Sequence, residues 1–288
     1  METKRKLLIG ICIALAAVLL LLLLTAGVAT AIILLRKPPE SEPEQPSETA
    51  PTETPTTLPP PLESTLGPED FIYENGFLTC TAAPYELGVD VSSYQGADID
   101  WQAVRDDGAT FAIIRVAGRG YGQAGSIYDD LLAQTNYEGA KRAGLKVGVY
   151  FFSQAITAEE AAEEARYILD KTQNWELDMP IIYDWERMDG DTRTANADRR
   201  TVTDCMLAFC REVEAAGKTP MIYFNPEHAE SMFYIEEVTQ YKFWLAFYTD
   251  WMTFPYEVNM WQYTSTGKIA GVNSLVDLNL FFPESIKN

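Results

Sequence analysis

Two carboxylates separated by one residue close the stretch Met179-Pro180-Ile181-Ile182-Tyr183-Asp184-Trp185-Glu186. A proline at its edge and the apolar pair Ile181 and Ile182 mark this stretch as a buried strand. Side chains two apart on a strand share a side, so Asp184 and Glu186 project together from its C-terminal end. Like charges held that close cannot both ionise easily, so the pKa of at least one should rise. A neutral carboxylic acid beside an ionised one is the equipment for breaking a glycosidic bond. The alternative is a strand that simply ends in solvated acids, and the pair alone does not decide.

The elements around that strand alternate between β and α patterns. Leu87–Val91 reads as a strand and Trp101–Asp107 as a short helix. Phe111–Ala117 is a second strand, followed by a helix over Leu131–Ala143 that Gly144 closes. Lys146–Ser153 is the third strand, and Thr157-Ala158-Glu159-Glu160 opens a helix with a capping box. The fourth strand is the one that carries the acid pair. A long helix from about Ala197 ends at Gly217, and Thr219–Asn225 is the fifth strand. Beyond it the helices shrink to a short one near Pro226–Met232, with strands at Tyr241–Tyr248, Val258–Tyr263 and Leu275–Phe281. Eight strands with good helices only in the first part predict an α/β fold, an irregular, TIM-like (β/α) barrel with a degenerate last third. Its range is 88–284. Residues 70–87 form an N-terminal extension, in which Asn75-Gly76 predicts a hairpin.

In such a barrel the working side chains sit at the C-terminal ends of the strands. Asp90 ends the first strand, Asp184 and Glu186 the fourth, and Asp277 lies in the last. First and last strands are neighbours in a closed barrel, so Asp90 and Asp277 should lie side by side, facing the fourth strand across the mouth. An Asp in an otherwise apolar strand is costly unless paired or functional, and three strands carry one. A carboxylate site of Glu186, Asp184, Asp90 and Asp277 is therefore expected. Tyr150, Tyr223, Tyr248 and Trp261 lie near strand ends, where sugar stacking or hydroxyl contacts compete with plain packing. Asn225 is a further polar candidate with a turn role as its alternative, and Arg115 either pairs with a site acid or caps the barrel. Trp101 and Trp185 are expected in the core.

Composition removes other classes. The chain has 288 residues, 47% of them hydrophobic, and 22 basic against 42 acidic residues for a net charge of −20. Nucleic acid is an unsuitable partner for such a surface. His228 is the one histidine and no close-spaced Cys/His set exists, so no metal is expected, nor any other cofactor. Cys205 and Cys210 fall on different faces of one helix and read as unpaired core residues. No disulfide framework is evident.

Residues 1–6 carry Lys4, Arg5 and Lys6, and residues 7–35 carry no charge at all. That run is long enough to span a bilayer with tilt and exceeds a secretory h-region, so a retained anchor is expected over a cleaved signal. The basic residues before it argue for a cytoplasmic N-terminus, with the rest outside the cell membrane. Residues 36–69 read as a disordered linker rich in Pro, Glu, Ser and Thr; ten prolines lie between 38 and 69. A monomer is expected.

Gly88-Val89-Asp90-Val91-Ser92-Ser93-Tyr94-Gln95-Gly96 with Ile99-Asp100-Trp101 resembles the opening of glycoside hydrolase family 25, the lysozyme-type muramidases. Tyr183-Asp184-Trp185-Glu186 resembles that family's catalytic strand. Trp244-Leu245-Ala246, Met260-Trp261-Gln262-Tyr263 and Val276-Asp277-Leu278-Asn279 resemble its closing motifs, in family order. The resemblance implies hydrolysis of the β-1,4 bond between N-acetylmuramic acid and N-acetylglucosamine in peptidoglycan. By position it makes Glu186 the general acid and Asp184 the carboxylate that orients the substrate's own 2-acetamido group. Asp90 and Asp277 would bind and tune. Many members carry a Tyr-His-Phe type sequence where this chain has Tyr150-Phe151-Phe152. The competing readings are a chitinase-like glycosidase, a non-catalytic wall-binding module and a structural anchor.

Overall fold

The structure, a computed structural model, describes residues 60–283. The expected span at 7–35 and most of the expected linker lie outside those residues. Among the described residues no helix is long and apolar enough to cross a membrane.

Strands β1 (Phe71–Glu74) and β2 (Phe77–Cys80) form the antiparallel hairpin expected around Asn75-Gly76. Both turn residues have positive φ, 52° and 90°, the mirror-image turn that matches strand twist and that Asn-Gly favours. Eight further strands close into a barrel: β3 (Glu86–Val91), β4 (Phe111–Arg119), β6 (Lys146–Ser153), β7 (Ile181–Trp185), β8 (Pro220–Phe224), β9 (Lys242–Ala246), β10 (Met260–Gly267) and β11 (Val276–Phe281). They pair in that order and β11 returns to β3, so the barrel has no open edge. A three-residue strand that the sequence did not suggest, β5 (Ile127–Asp129), folds back on the end of β4.

The first seven barrel strands run parallel. β11 does not: it is antiparallel to both β10 and β3. The expectation of a TIM-like barrel is corrected on this point. A parallel connection needs a crossover of a dozen or more residues, and 268–275 is too short for one, so the chain turns back as a hairpin. The helices are α1 (Trp101–Asp106), α2 (Ala133–Arg142), α3 (Ala158–Lys171), α4 (Arg199–Ala215) and the short α5 (Pro226–Ser231). None follows β9 or β10, in line with the expected degenerate last third. At the start of α3, Thr157 accepts the Glu160 N–H at 3.2 Å. Glu160 takes the N–H of Ile156 at 2.9 Å rather than that of Thr157, so the expected capping box is half formed.

Strand alternation sorts the core into two layers. Phe111, Ile113, Ile182, Met221, Trp244 and Met260 fill the barrel interior. Their strand neighbours, including Val89, Tyr183, Trp185 and Trp261, pack outward in the larger shell that also holds the helices' buried residues. Gly88 has a steric reason: a Cβ there would lie 2.5 Å from the Phe111 ring that fills the interior. Trp101 and Trp185 are buried, and Cys80, Cys205 and Cys210 are buried and free. Residues 62–64, expected as linker, lie on the barrel. Glu63 bridges Tyr256, Ser64 N–H donates to the Pro255 carbonyl at 2.9 Å, and Glu257 N–H donates to the Leu62 carbonyl at 2.7 Å.

Candidate active site

The inward phase of each strand decides what reaches the mouth. On β7, Tyr183 and Trp185 point out to the shell, while Ile182 points in with Asp184 above it. Trp185 Nε1 donates to the Ala155 carbonyl at 2.9 Å, fixing the outward phase and hence the inward one. Glu186 follows the strand, and its carbonyl accepts a hydrogen bond from Gln154 Nε2 at 2.5 Å. On the opposite wall Asp90 and Asp277 are register partners across β3 and β11. Asp277 lies at the start of β11. Because that strand is reversed, its start stands where the other strands end.

Asp90 and Asp184 are 6% and 5% exposed. Burial is the first cause that lifts Asp184 well above the usual carboxylate range, and the charges of Glu186 and Asp90 add to it, with Arg115 pulling the other way. Glu186 is raised by burial too, against a hydrogen bond from Asp184 that pulls it down. Burial and mutual repulsion thus favour a state with one proton between the two carboxyls. Asp184 Oδ1 is buried with no hydrogen-bond partner. Asp277 is pushed up to about 6 by burial, with Glu186 adding. Asp90 is raised by burial and by Asp277, partly offset by hydrogen bonds from Asn279 and Gln262.

Those two amides are the residues that sequence reasoning missed. Gln262 Nε2 and Asn279 Nδ2 each donate to Asp90 Oδ2 at 2.8 Å. Gln262 Oε1 accepts from Tyr223 and from Tyr248, both at 2.9 Å, and Asn279 Oδ1 accepts from Trp244 Nε1 at 2.9 Å. One buried carboxylate is thereby wired to aromatic side chains on β8 and β9 and to Tyr248 beyond it. The signal was present in the alternation Met260-Trp261-Gln262 and Asp277-Leu278-Asn279, where the polar residue falls in phase with the pocket.

The other candidates divide. Tyr150 and Tyr223 face the interior, Tyr223 as the register partner of Asp184, and both are edge-on to Trp244. Tyr248 is 55% exposed at the rim. Trp261 does not face the mouth: it is wholly buried on the outward phase of β10, edge-on to Phe71, with Nε1 donating to the Phe247 carbonyl at 2.7 Å. Asn225 is the N-cap of α5, its Oδ1 accepting the His228 N–H at 2.8 Å. Arg115 pairs with Asp130, an acid outside the expected four. Phe151, where many family members have histidine, points outward and packs edge-on to Tyr167, so that departure does not touch the pocket.

Among the described residues no group of three or more His, Cys, Asp or Glu is arranged to hold a metal. A hollow of about 230 Å³ between Ser64, Leu66, Ala83, Met252 and Phe282 contains none of the four acids. What the acids can do together is place four carboxyls, each of them raised by burial, around a single polar mouth where one can give a proton while another carries charge.

The profile of Glycosyl hydrolases family 25 matches residues 89–272. The chain is 26% identical over 232 residues to Lysozyme M1 of Streptomyces globisporus, covering 77% of this chain and 72% of that protein. Its fold is similar to that of the modular autolysin LytC from Streptococcus pneumoniae, solved with a synthetic peptidoglycan ligand, at a TM-score of 0.62 and 20% identity. That match covers 74% of this chain and 52% of LytC, so the chain spans about half of that protein. A family 25 glycosyl hydrolase from Bacillus anthracis is similar at a TM-score of 0.58 and 24% identity, covering 69% of this chain and 89% of that one. With the acid pair, its partner acids and the closed barrel in place, the profile match over more than half its length makes this chain a member of glycosyl hydrolase family 25.

Proposed function

We propose that the barrel is a muramidase that hydrolyses the β-1,4 bond between N-acetylmuramic acid and N-acetylglucosamine in peptidoglycan. The observation that carries this reading is the Asp184–Glu186 pair at the barrel mouth, both acids raised by burial. A substrate's 2-acetamido N–H is a donor suited to the Asp184 carboxylate. Once it binds there, the anionic form of Asp184 is favoured and the shared proton resides on Glu186. Glu186 then protonates the leaving oxygen while the substrate's own acetamido oxygen attacks the anomeric carbon, a substrate-assisted route that departs from the two-carboxylate scheme. Asp184 steadies the positive charge of the cyclic intermediate. Glu186, now ionised, takes a proton from the water that opens it. Asp90 anchors Gln262 and through it Tyr223 and Tyr248, and Asp277 adds a second carboxyl beside it.

The test is mass spectrometry of fragments released from purified peptidoglycan, run beside chitin oligomers. A muramidase leaves N-acetylmuramic acid at the new reducing ends. New ends on N-acetylglucosamine, or faster cleavage of chitin, would point to another glycosidase. Binding without release would mean a wall-binding module. We also infer that residues 7–35 tether the barrel outside the cell membrane, because that run is uncharged and followed by a proline-rich stretch. Full-length protein should fractionate with membranes and be freed by protease cutting before residue 60. A mature chain beginning near Thr30 or Ile32 would overturn the tether.

A further inference from the structure

The mouth that gathers four carboxyls also holds a guanidinium with one edge unused. Arg115 lies inward on β4, donating from Nε to Asp130 Oδ2 at 2.9 Å and from Nη2 to Ser93 Oγ at 3.2 Å. Nη1 has no partner, and the side chain is 21% exposed. Arg115 is the register partner of Tyr150 across β4 and β6, and its charge bears on Asp184, so the guanidinium lies beside the site.

The other edge is committed. The Asp130 side chain is fully buried and, besides Arg115, accepts the Ser93 N–H at 2.9 Å and the Leu132 N–H at 3.0 Å. It therefore ties the 3₁₀ turn Ser93–Gln95 to the turn that leads into α2. Each tied turn carries an apolar side chain in water: Tyr94 is 84% exposed and Leu131 is 89% exposed. A large apolar group on a pinned turn keeps its position without further ordering cost, which suits it to contact a ligand.

We propose that this patch is the subsite for the acidic peptidyl arm that muramic acid carries on its O3 lactyl group, with Arg115 Nη1 taking a carboxylate and Tyr94 and Leu131 covering the arm's first apolar residue. The inference rests on the muramidase reading. An anionic arm brought to a mouth with four carboxyls is repelled unless a cation meets it, and a guanidinium edge is the geometry that fits a carboxylate. A polymer of N-acetylglucosamine alone carries nothing for that edge. The patch therefore supplies preference for muramyl substrate over chitin, and Arg115 acts in binding, not in bond breaking.

The experiment measures kcat/KM and Kd for three oligosaccharides of equal length. One is chitin-derived, one alternates N-acetylglucosamine with N-acetylmuramic acid, and one carries the first two peptide residues as well. Arg115→Lys keeps the charge beside Asp130 and loses the fork. Tyr94→Ala and Leu131→Ser change exposed side chains and leave the fold intact. The wild type should favour the peptidyl oligomer over the chitin one, and Arg115→Lys should cut that ratio about tenfold, through KM with kcat nearly unchanged. Raising salt should cut the ratio in the wild type and in Arg115→Lys alike, since both keep the charge. Tyr94→Ala and Leu131→Ser should weaken the peptidyl oligomer alone, by about threefold each.

An unchanged ratio in Arg115→Lys, or an equal loss on all three oligomers, would mean that Arg115 only pins the turns. If that variant does not fold, the Tyr94 and Leu131 variants decide, and undiminished binding of the peptidyl oligomer by both overturns the subsite. A wild type that binds the three alike sinks the muramidase reading first. Preference without Arg115 dependence sinks only the subsite.

Discussion

At the residue scale the chemistry turns on which carboxyl of the pair holds the proton when substrate is bound. Asp184 is the more deeply buried, yet a bound acetamido N–H would favour its ionised form. Glu186→Gln removes the proposed proton donor and keeps the shape, so kcat should fall by about 10²–10⁴. Asp184→Asn should be as severe, since an amide stabilises a cationic intermediate poorly. An activated phenolic leaving group separates the two, because it needs little protonation: it should rescue Glu186→Gln and not Asp184→Asn. Equal responses in that assay would reverse or void the assignment.

Asp277 gives a second residue-scale expectation. Folded, it titrates at about 6, against 3.8 for an ordinary aspartate. The folded state thus holds its proton more tightly, so the stability it contributes is complete below about pH 4 and is lost as pH rises through 6. Asp277→Asn cannot ionise and escapes that loss. Denaturant unfolding should find it more stable than wild type by about 1–3 kcal/mol at pH 7, with no difference at pH 4, and less active.

At the element scale, β10 holds the sharpest contrast between adjacent residues. Trp261 points out and Gln262 points in. Trp261→Ala should cost about 3–5 kcal/mol in urea unfolding and leave KM of the folded fraction unchanged. Gln262→Leu removes the shared acceptor of Tyr223 and Tyr248 and one of the two amides on Asp90. It should cost about 1–3 kcal/mol and also lower kcat/KM by tenfold or more, as the freed hydroxyls and a more neutral Asp90 reshape the mouth. Should Trp261→Ala change KM instead, the phase of β10 would be misread. The reversal of β11 belongs to this scale too. It is what lets a residue near a strand's beginning stand among residues at strand ends.

At the scale of the whole molecule, the question is where the folded unit starts. Leu62, Glu63 and Ser64 bond to residues 255–257, ahead of the expected domain boundary near residue 70. Protein beginning at residue 60 should therefore keep the melting temperature of the full barrel. Protein beginning at residue 70 should melt roughly 3–8 °C lower, from the loss of those backbone bonds and of Leu66 packing against the core. Equal melting temperatures would return residues 60–69 to the linker.

Local chemistry made much of this legible in one dimension. Asn75-Gly76 wrote the first hairpin, since few other pairs accept two positive φ angles. Thr157, Asp198 and Asn225 wrote helix starts by offering an oxygen to free N–H groups. The spacing of Asp184 and Glu186 placed both on one side of a strand. Phase, direction and long-range partners were not legible in the same way. Whether Trp261 or Gln262 faces the pocket depends on how β10 is registered between β9 and β11. Asp130 reaches Arg115 and Ser93 only after β4 has been laid beside β3. The sequence by itself determined the acids, the caps and the alternation of elements, because these follow from bonds between near neighbours. Only the tertiary structure decided which polar groups meet inside the barrel, because closing it joins β3 to β11, and with them Asp90 to Gln262 and Asn279, from opposite ends of the folded domain.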